Sequence, residues 1–477
     1  MRSVRSFVHR VGRQAVILAC ALVASCSGKG SAEIPDVDPL ALSAVVDNNP
    51  DPKIVEINLE ARETLKRFGA IPVSKVWAYD GTVPGPLVDA RVGDRLLVHF
   101  KNSLPEPTTI HWHGIRLPAR MDGALSVQEP IKPGATFDYD FVLKDPGLYW
   151  FHPHMRTDVQ IEKGLAGVIR VRGTDEPASD DERILVLDDV SIKPDGTFPT
   201  YLDDDSRMMG RGGNTLLVNG VVDATIPVKA GAVRWRILNV ANGRFFNLRL
   251  PGRRFRVLGT DGGWFARPYD TEQLLVAPAE RYDVMFLETG AAGTEIDLMT
   301  DPYPRGHDTG DVAPARVARV RVTRAAPARP ATLPTAFPPT PRPADDVTAL
   351  PMVLDEKNRE DGVVFTINDA TFPDVPPIQV PLGSRQIFAI ENKSDMDHPF
   401  HLHGFFFVQL SRDGVVIPDD RLVRKDTVIV PKKSKTRLAA TFDEPGRWMY
   451  HCHILEHAEH GMMGEIAVGV TPGGMGH

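Results

Sequence analysis

The sequence predicts an all-β chain built as three consecutive β-sandwich domains. A weak triple repeat comes first. RVGDRLLVHFKN (91–102), VKAGAVRWRILN (228–239) and VPLGSRQIFAIEN (380–392) share one pattern, a Gly turn, an alternating strand and a closing Asn. The second observation is punctuation. Short alternating stretches are broken by 40 Gly and 41 Pro, which suits sandwiches and not helices. The third is a repeat that pairs only the two ends. PGLYWFHPH (146–154) matches PGRWMYHCH (445–453), and IHWHG matches FHLHG.

The elements then follow in order. Residues 1–25 read as a secretory leader, with Arg2, Arg5, Arg10 and Arg13 ahead of an apolar run from Ala15 to Ala24. That run is too short to span a membrane. It ends in VASC, so Cys26 is expected to become a lipidated N-terminus of an exported, periplasm-facing lipoprotein. The alternative is cleavage after Ala24 and a soluble periplasmic protein. No twin arginine is visible, so export by the general pathway is expected. Residues 26–50 read as a tether, 51–175 as domain one and 180–325 as domain two. A Pro-rich linker follows over 326–345, with seven prolines between Ala325 and Ala344. Residues 346–477 form domain three. Some 450 mature residues suffice for three cores. Cys20, Cys26 and Cys452 are the three cysteines, so no disulfide is expected in the mature chain. Losing the leader removes four Arg and no acid, moving the net charge from −7 to −11. That argues against nucleic acid as a partner and mildly for cationic substrates.

The chemistry lies in four His-x-His pairs: His111/His113, His152/His154, His401/His403 and His451/His453. Residues i and i+2 of a strand share a face, so each pair offers two imidazoles to one side. Neutral imidazole ligates copper, zinc, iron and nickel. Eight of them can hold more than one ion. Cys452, between His451 and His453, must point to the opposite face. With His398, His457 and Met462 nearby it makes a His₂Cys set with an available Met, the ligand set of a blue-copper site. These motifs use ten of the 15 His. Zinc fits less well, because structural zinc cages are closed four-ligand sites. His9, His99, His307, His460 and His477 match no ligand position.

With these motifs in order, residues 50–470 resemble the three-domain multicopper oxidases, the family of laccases, ascorbate oxidases and bacterial copper-efflux oxidases. The resemblance implies cupredoxin-like Greek-key domains and four copper ions. His111 and His401 would hold the type 2 ion. His113, His152 and His453 would hold one type 3 ion, and His154, His403 and His451 the other. His398, Cys452, His457 and axial Met462 would hold type 1, the Met lowering its potential relative to Leu or Phe. LGTDGGWF and VAPAERYDV resemble the family's middle domain, whose expected job is to space the outer two. Electrons would pass from Cys452 through its flanking histidines, and O₂ would be reduced to water.

Asp122 and Glu456 match positions that relay protons in the family, and O₂ reduction needs them delivered to a buried site. Expected donors are phenols or aromatic amines, as for a laccase. Cu(I), in a copper-tolerance metallo-oxidase, is the alternative, because soft thioether sulfur suits Cu(I). No Met-rich insert is present, but Asp395, Met396 and Asp397 flank His398 and are candidate substrate residues. Met208 and Met209 are read as packing residues. A copper nitrite reductase would lack the second His of HCH. A scaffold or storage relative would have lost ligands, and this chain keeps all of them.

Overall fold

The computed structural model describes residues 38, 40–199, 203–307, 313–360 and 362–470. The expected leader, Cys26 and the tether up to residue 37 lie outside the described residues, as do His9 and His477. The chain forms three consecutive β-sandwiches of two sheets each. Among the described residues no helix is long and apolar enough to cross a membrane.

Each sandwich is wired the same way. In one sheet the opening strand runs parallel to the repeat strand: Ile54–Lys66 beside Arg95–Ser103, Asp181–Val190 beside Gly231–Asn239, Leu350–Arg359 beside Arg385–Asn392. In the other sheet a second parallel pair recurs: Leu87–Arg91 with Gly167–Arg172, Ala224–Lys229 with Ala315–Arg324, Ile378–Val380 with Met463–Val468. Parallel neighbours cannot be joined by a hairpin, so the chain must cross between sheets. Leu96, Val98 and Phe100 alternate inward in the first repeat strand, as the period of two requires.

The closing Asn of the repeat has one job in all three places. Each is fully buried at its strand's end. Asn102 donates to the carbonyls of Glu106 (2.9 Å) and Ile131 (2.7 Å) and accepts from Leu104 N–H. Asn239 does the same with Arg244, Val276 and Ala241. Asn392 does so with Met396, Val430 and Ser394. A buried loop must satisfy its backbone groups, and one carboxamide ties three of them.

The middle repeat strand departs from simple alternation. Val233, Trp235 and Ile237 face the domain core, but Arg234 and Arg236 on the other face are also buried. They are neutralised by Asp283 (2.6 Å from Arg234), Glu176 and Glu182. The Pro-rich segment runs along this domain: Phe337 stacks on Trp264 at 4.8 Å, and Ala331 N–H donates to Asp180.

Candidate metal centre

Strand His111–His113 pairs with the end of Gly147–His152, setting His111 opposite His152. In the third domain His401 lies opposite His451, and Phe400 opposite Cys452. The two strand pairs face each other, and all eight rings are buried. His111 stacks on His403 and His113 on His401, each at 3.7 Å between centroids. Ligand atoms converge in sets within 4.8 Å: His113, His152 and His453; His154, His403 and His451; and His111, His113 and His401. The facing Nε2 atoms of His403 and His451 are 3.1 Å apart.

Hydrogen bonds fix which nitrogen is free in six of the eight rings. Nδ1 donates to the Asp122 carbonyl from His111 (3.0 Å), to Pro153 from His152 (2.8 Å), to Asp426 from His401 (2.9 Å) and to Cys452 from His451 (2.8 Å). His403 Nδ1 donates to Asp122 Oδ2 at 2.8 Å. These rings present Nε2 inward. His113 is reversed. Its Nε2 donates to Asp426 Oδ1 at 3.2 Å, leaving Nδ1 free. The inward nitrogens of His111, His113, His152 and His401, and both of His453, have no hydrogen-bond partner. Buried unpaired polar atoms cost about 1–3 kcal/mol each, and a metal ion relieves that cost.

Burial pushes His113, His152, His154, His401, His403, His453 and His457 well below the ordinary histidine value, with neighbouring rings adding to the effect. His398 falls to about 3 and His451 to about 4 for the same reason. The rings are therefore neutral with lone pairs available, as ligation requires.

The second site is a triangle. Cys452 Sγ lies 3.4 Å from His398 Nδ1 and 3.8 Å from His457 Nδ1, and the two nitrogens are 3.3 Å apart. Met462 is buried in the same apolar cluster. Phe365 stacks on His457 at 3.7 Å. His398 Nε2 is 2.7 Å from Ser394 Oγ, and His457 Nε2 donates to the Met208 carbonyl at 3.0 Å. Burial pushes the Cys452 thiol up. Its thiolate therefore needs a cation beside it, and a bound metal provides one. This donor set fits copper.

Asp122 and Glu456 are both buried. Asp122 lies 3.3 Å from His111 as well as bonding His403. Glu456 Oε1 accepts from Asn242 at 2.9 Å, and its Oε2 has no partner. The substrate candidates fare differently. Met396 is fully buried in the domain core, and Asp397 accepts from Tyr303 (2.6 Å) and Lys432 N–H (2.8 Å). Neither reaches solvent, so neither can meet a substrate at the surface, and the expectation for them is corrected. Asp395 is exposed but paired with Lys433 at 2.9 Å. The short helix Asp204–Met209 supplies a cover that sequence reasoning missed. Met208 and Met209 pack, half-buried, against the third-domain core, and Met208 touches His457. Asp426, Ser394 and Phe365 were also missed, and no local spacing marks them. His460 bonds the Glu456 carbonyl, not the triangle.

Known proteins give a consistent picture. Three multicopper oxidase family models match the chain over residues 63–176, 189–293 and 338–472. A multicopper oxidase of Mycobacterium tuberculosis is 33% identical over 436 residues, covering 82% of each chain. A Campylobacter jejuni multicopper oxidase, described as a metallo-oxidase, superposes with a TM-score of 0.80 at 28% identity, over 90% of this chain and 94% of its own. A laccase-like multicopper oxidase of Ochrobactrum, with activity towards lignin model compounds, has the same TM-score and identity, over 90% and 100%.

Proposed function

The chain belongs to the multicopper oxidase family, and on that premise we propose that it takes single electrons from a reducing substrate at the Cys452 site and delivers four of them, with four protons, to dioxygen in the histidine cluster, giving two waters. Four copper ions are proposed. His398, Cys452, His457 and Met462 hold the type 1 ion. His111 and His401 hold type 2. His113, His152 and His453 hold one type 3 ion, and His154, His403 and His451 the other. Bound copper supplies the one-electron chemistry at both places. The observation that carries the reading is the Cys452 triangle set one residue away from rings of both three-histidine sets.

The chain's own residues do the rest. Cys452 joins the two sites covalently, since its backbone runs directly into His451 and His453. Burial of every ligand keeps substrate away from the oxygen-reducing cluster. Asp122 touches rings of two sets and is proposed to hand protons to the cluster. Glu456, with one free oxygen beside Asn242, is proposed as the second relay.

For the donor, the cover over His457 supports a small soft cation. The ring edge is closed by the Met208 carbonyl, and Met208 and Met209 pack half-buried against the apolar cluster that holds Cys452 and Met462. Thioether sulfur suits Cu(I), so Cu(I) oxidation is the reading this geometry supports. Phenol oxidation is the second, favoured by the lignin-model activity of the Ochrobactrum relative. Residues 1–26 support export and anchoring at a membrane surface through Cys26. The test is O₂ uptake by copper-loaded protein with Cu(I) or a methoxyphenol as donor, beside copper analysis. About four copper per chain and uptake with either donor are expected, faster with Cu(I). Two copper per chain, or a blue colour that survives Cys452→Ser, would refute the assignment.

A further inference from the structure

All three domains meet at one point beside the histidine cluster. Arg281, from the middle domain, is fully buried there. Its Nη1 and Nη2 donate to Asp426 Oδ1 and Oδ2 at 2.6 and 2.5 Å, and its Nε donates to the Leu148 carbonyl of the first domain at 2.9 Å. Asp426 belongs to the third domain. Gly114, directly after His113, lets the pair come this close. A Cβ there would lie 2.6 Å from both Arg281 Nη2 and Asp426 Oδ2, and its φ of +83° already favours glycine. Behind the pair, Asp261 lies 3.3 Å from Arg281 and 3.0 Å from Lys425, and Lys425 lies 3.2 Å from Glu280. Middle and third domains are thus interlocked by Asp261 and the neighbours Glu280–Arg281 on one side and Lys425–Asp426 on the other.

Asp426 is also the group that reaches the cluster. Its carboxylate accepts from His113 Nε2 and its carbonyl from His401 Nδ1. Thr427 Oγ1 lies at the same 3.2 Å from His113 Nε2 and donates to Asp426 Oδ1 at 2.9 Å, so the Asp426 carboxylate anchors both groups at that nitrogen. This reverses the ring relative to the Nδ1-tied ones, because a ring nitrogen that donates cannot also ligate. We infer that Arg281 is a positioning residue for the copper cluster: by holding both oxygens of Asp426, it sets the tautomer and tilt of His113 and steadies His401. The middle domain, which carries no ligand, thereby shapes the site between the other two. This rests on the ligand assignment proposed above. Lysine cannot replace arginine here. One ammonium cannot hold both carboxylate oxygens and the Leu148 carbonyl in the planar pattern of a guanidinium.

The test compares copper-loaded wild type with Arg281→Met and Arg281→Lys. It uses copper analysis, blue absorbance, the EPR spectrum outside the blue-copper signal, and thermal unfolding. Arg281→Met is expected to keep its blue absorbance, to show an altered non-blue EPR spectrum or at least one copper fewer per chain, and to lose 10-fold or more in turnover. Arg281→Lys should change the same spectrum by less. A variant that only unfolds earlier, with copper content and non-blue EPR unchanged, would reduce Arg281 to domain glue and overturn the inference. If Arg281→Met does not fold, Arg281→Lys decides alone: an altered non-blue spectrum supports the inference, and a wild-type one overturns it. Wild type lacking non-blue copper would instead sink the ligand assignment itself, so the two failures are distinguishable.

Discussion

Replacing the closing Asn of each repeat with Leu separates what the fold needs from what the copper site needs. Leu keeps the branched heavy-atom skeleton of Asn and removes every hydrogen bond. Asn102 and Asn239 each make three such bonds. At a net value of about 1 kcal/mol per bond, each substitution should cost about 3 kcal/mol. Asn392 makes a fourth, accepting from Ser394 Oγ at 2.7 Å, so its loss should cost about 4 kcal/mol. That extra bond matters chemically. Ser394 Oγ lies 2.7 Å from His398 Nε2, which makes a relay from Asn392 through Ser394 to a proposed type 1 ligand. Asn392→Leu leaves the hydroxyl only its weaker bonds to the Met396 backbone, at 3.0 and 3.3 Å, and so loosens the ring behind it. Calorimetry and denaturant unfolding should therefore show losses of similar size in all three variants. Only Asn392→Leu should also shift or weaken the blue absorbance. Losses under about 1 kcal/mol at Asn102 and Asn239 would refute the claim that one carboxamide ties each loop. An unchanged blue spectrum in Asn392→Leu would refute the relay to His398.

Three further outcomes are expected. Asp122→Asn and Glu456→Gln should each lower turnover on the order of 10²-fold with copper content retained; unchanged turnover in both would remove the proton role. His99 is bonded to Glu56 and to Asp138, each at 2.9 Å, and these partners raise its pKa above the ordinary value. A raised folded pKa gives stability that is complete below about pH 6.5 and lost as pH climbs through the folded value. His99→Gln should therefore destabilise at pH 5.5 and be neutral at pH 9. Because the ring is 43% exposed, the effect should stay under about 1 kcal/mol, and an equal loss at both pH values would contradict it. Expressed in a bacterial host with labelled palmitate, the chain should take up label that Cys26→Ser abolishes; label surviving that change would place any lipid elsewhere.

Much of the fold and the arrangement of the histidines was readable because it depends on short spacings. His-x-His fixes two rings on one strand face, and Cys452 between two histidines must turn the other way; both follow from a period of two. The repeated Asn was visible as a residue, and its three bonds supply the reason. What spacing does not tell is which element covers a given face. Asp395, Met396 and Asp397 adjoin His398 in sequence, which suggested a substrate mouth. The loop leading into His398 instead carries Met396 into the core and Asp397 onto Tyr303. The actual neighbour of His457 is Met208, 249 residues away. Asp426 was invisible for the same reason: it stands 313 residues from His113 and 145 from Arg281. A ligand pair must be close in sequence to share a strand face. A positioning pair needs only complementary charge and a meeting place, so its sequence separation is arbitrary and leaves no motif. The middle domain, without a His-x-His, therefore read as a spacer, although its Arg281 reaches the cluster through a single carboxylate.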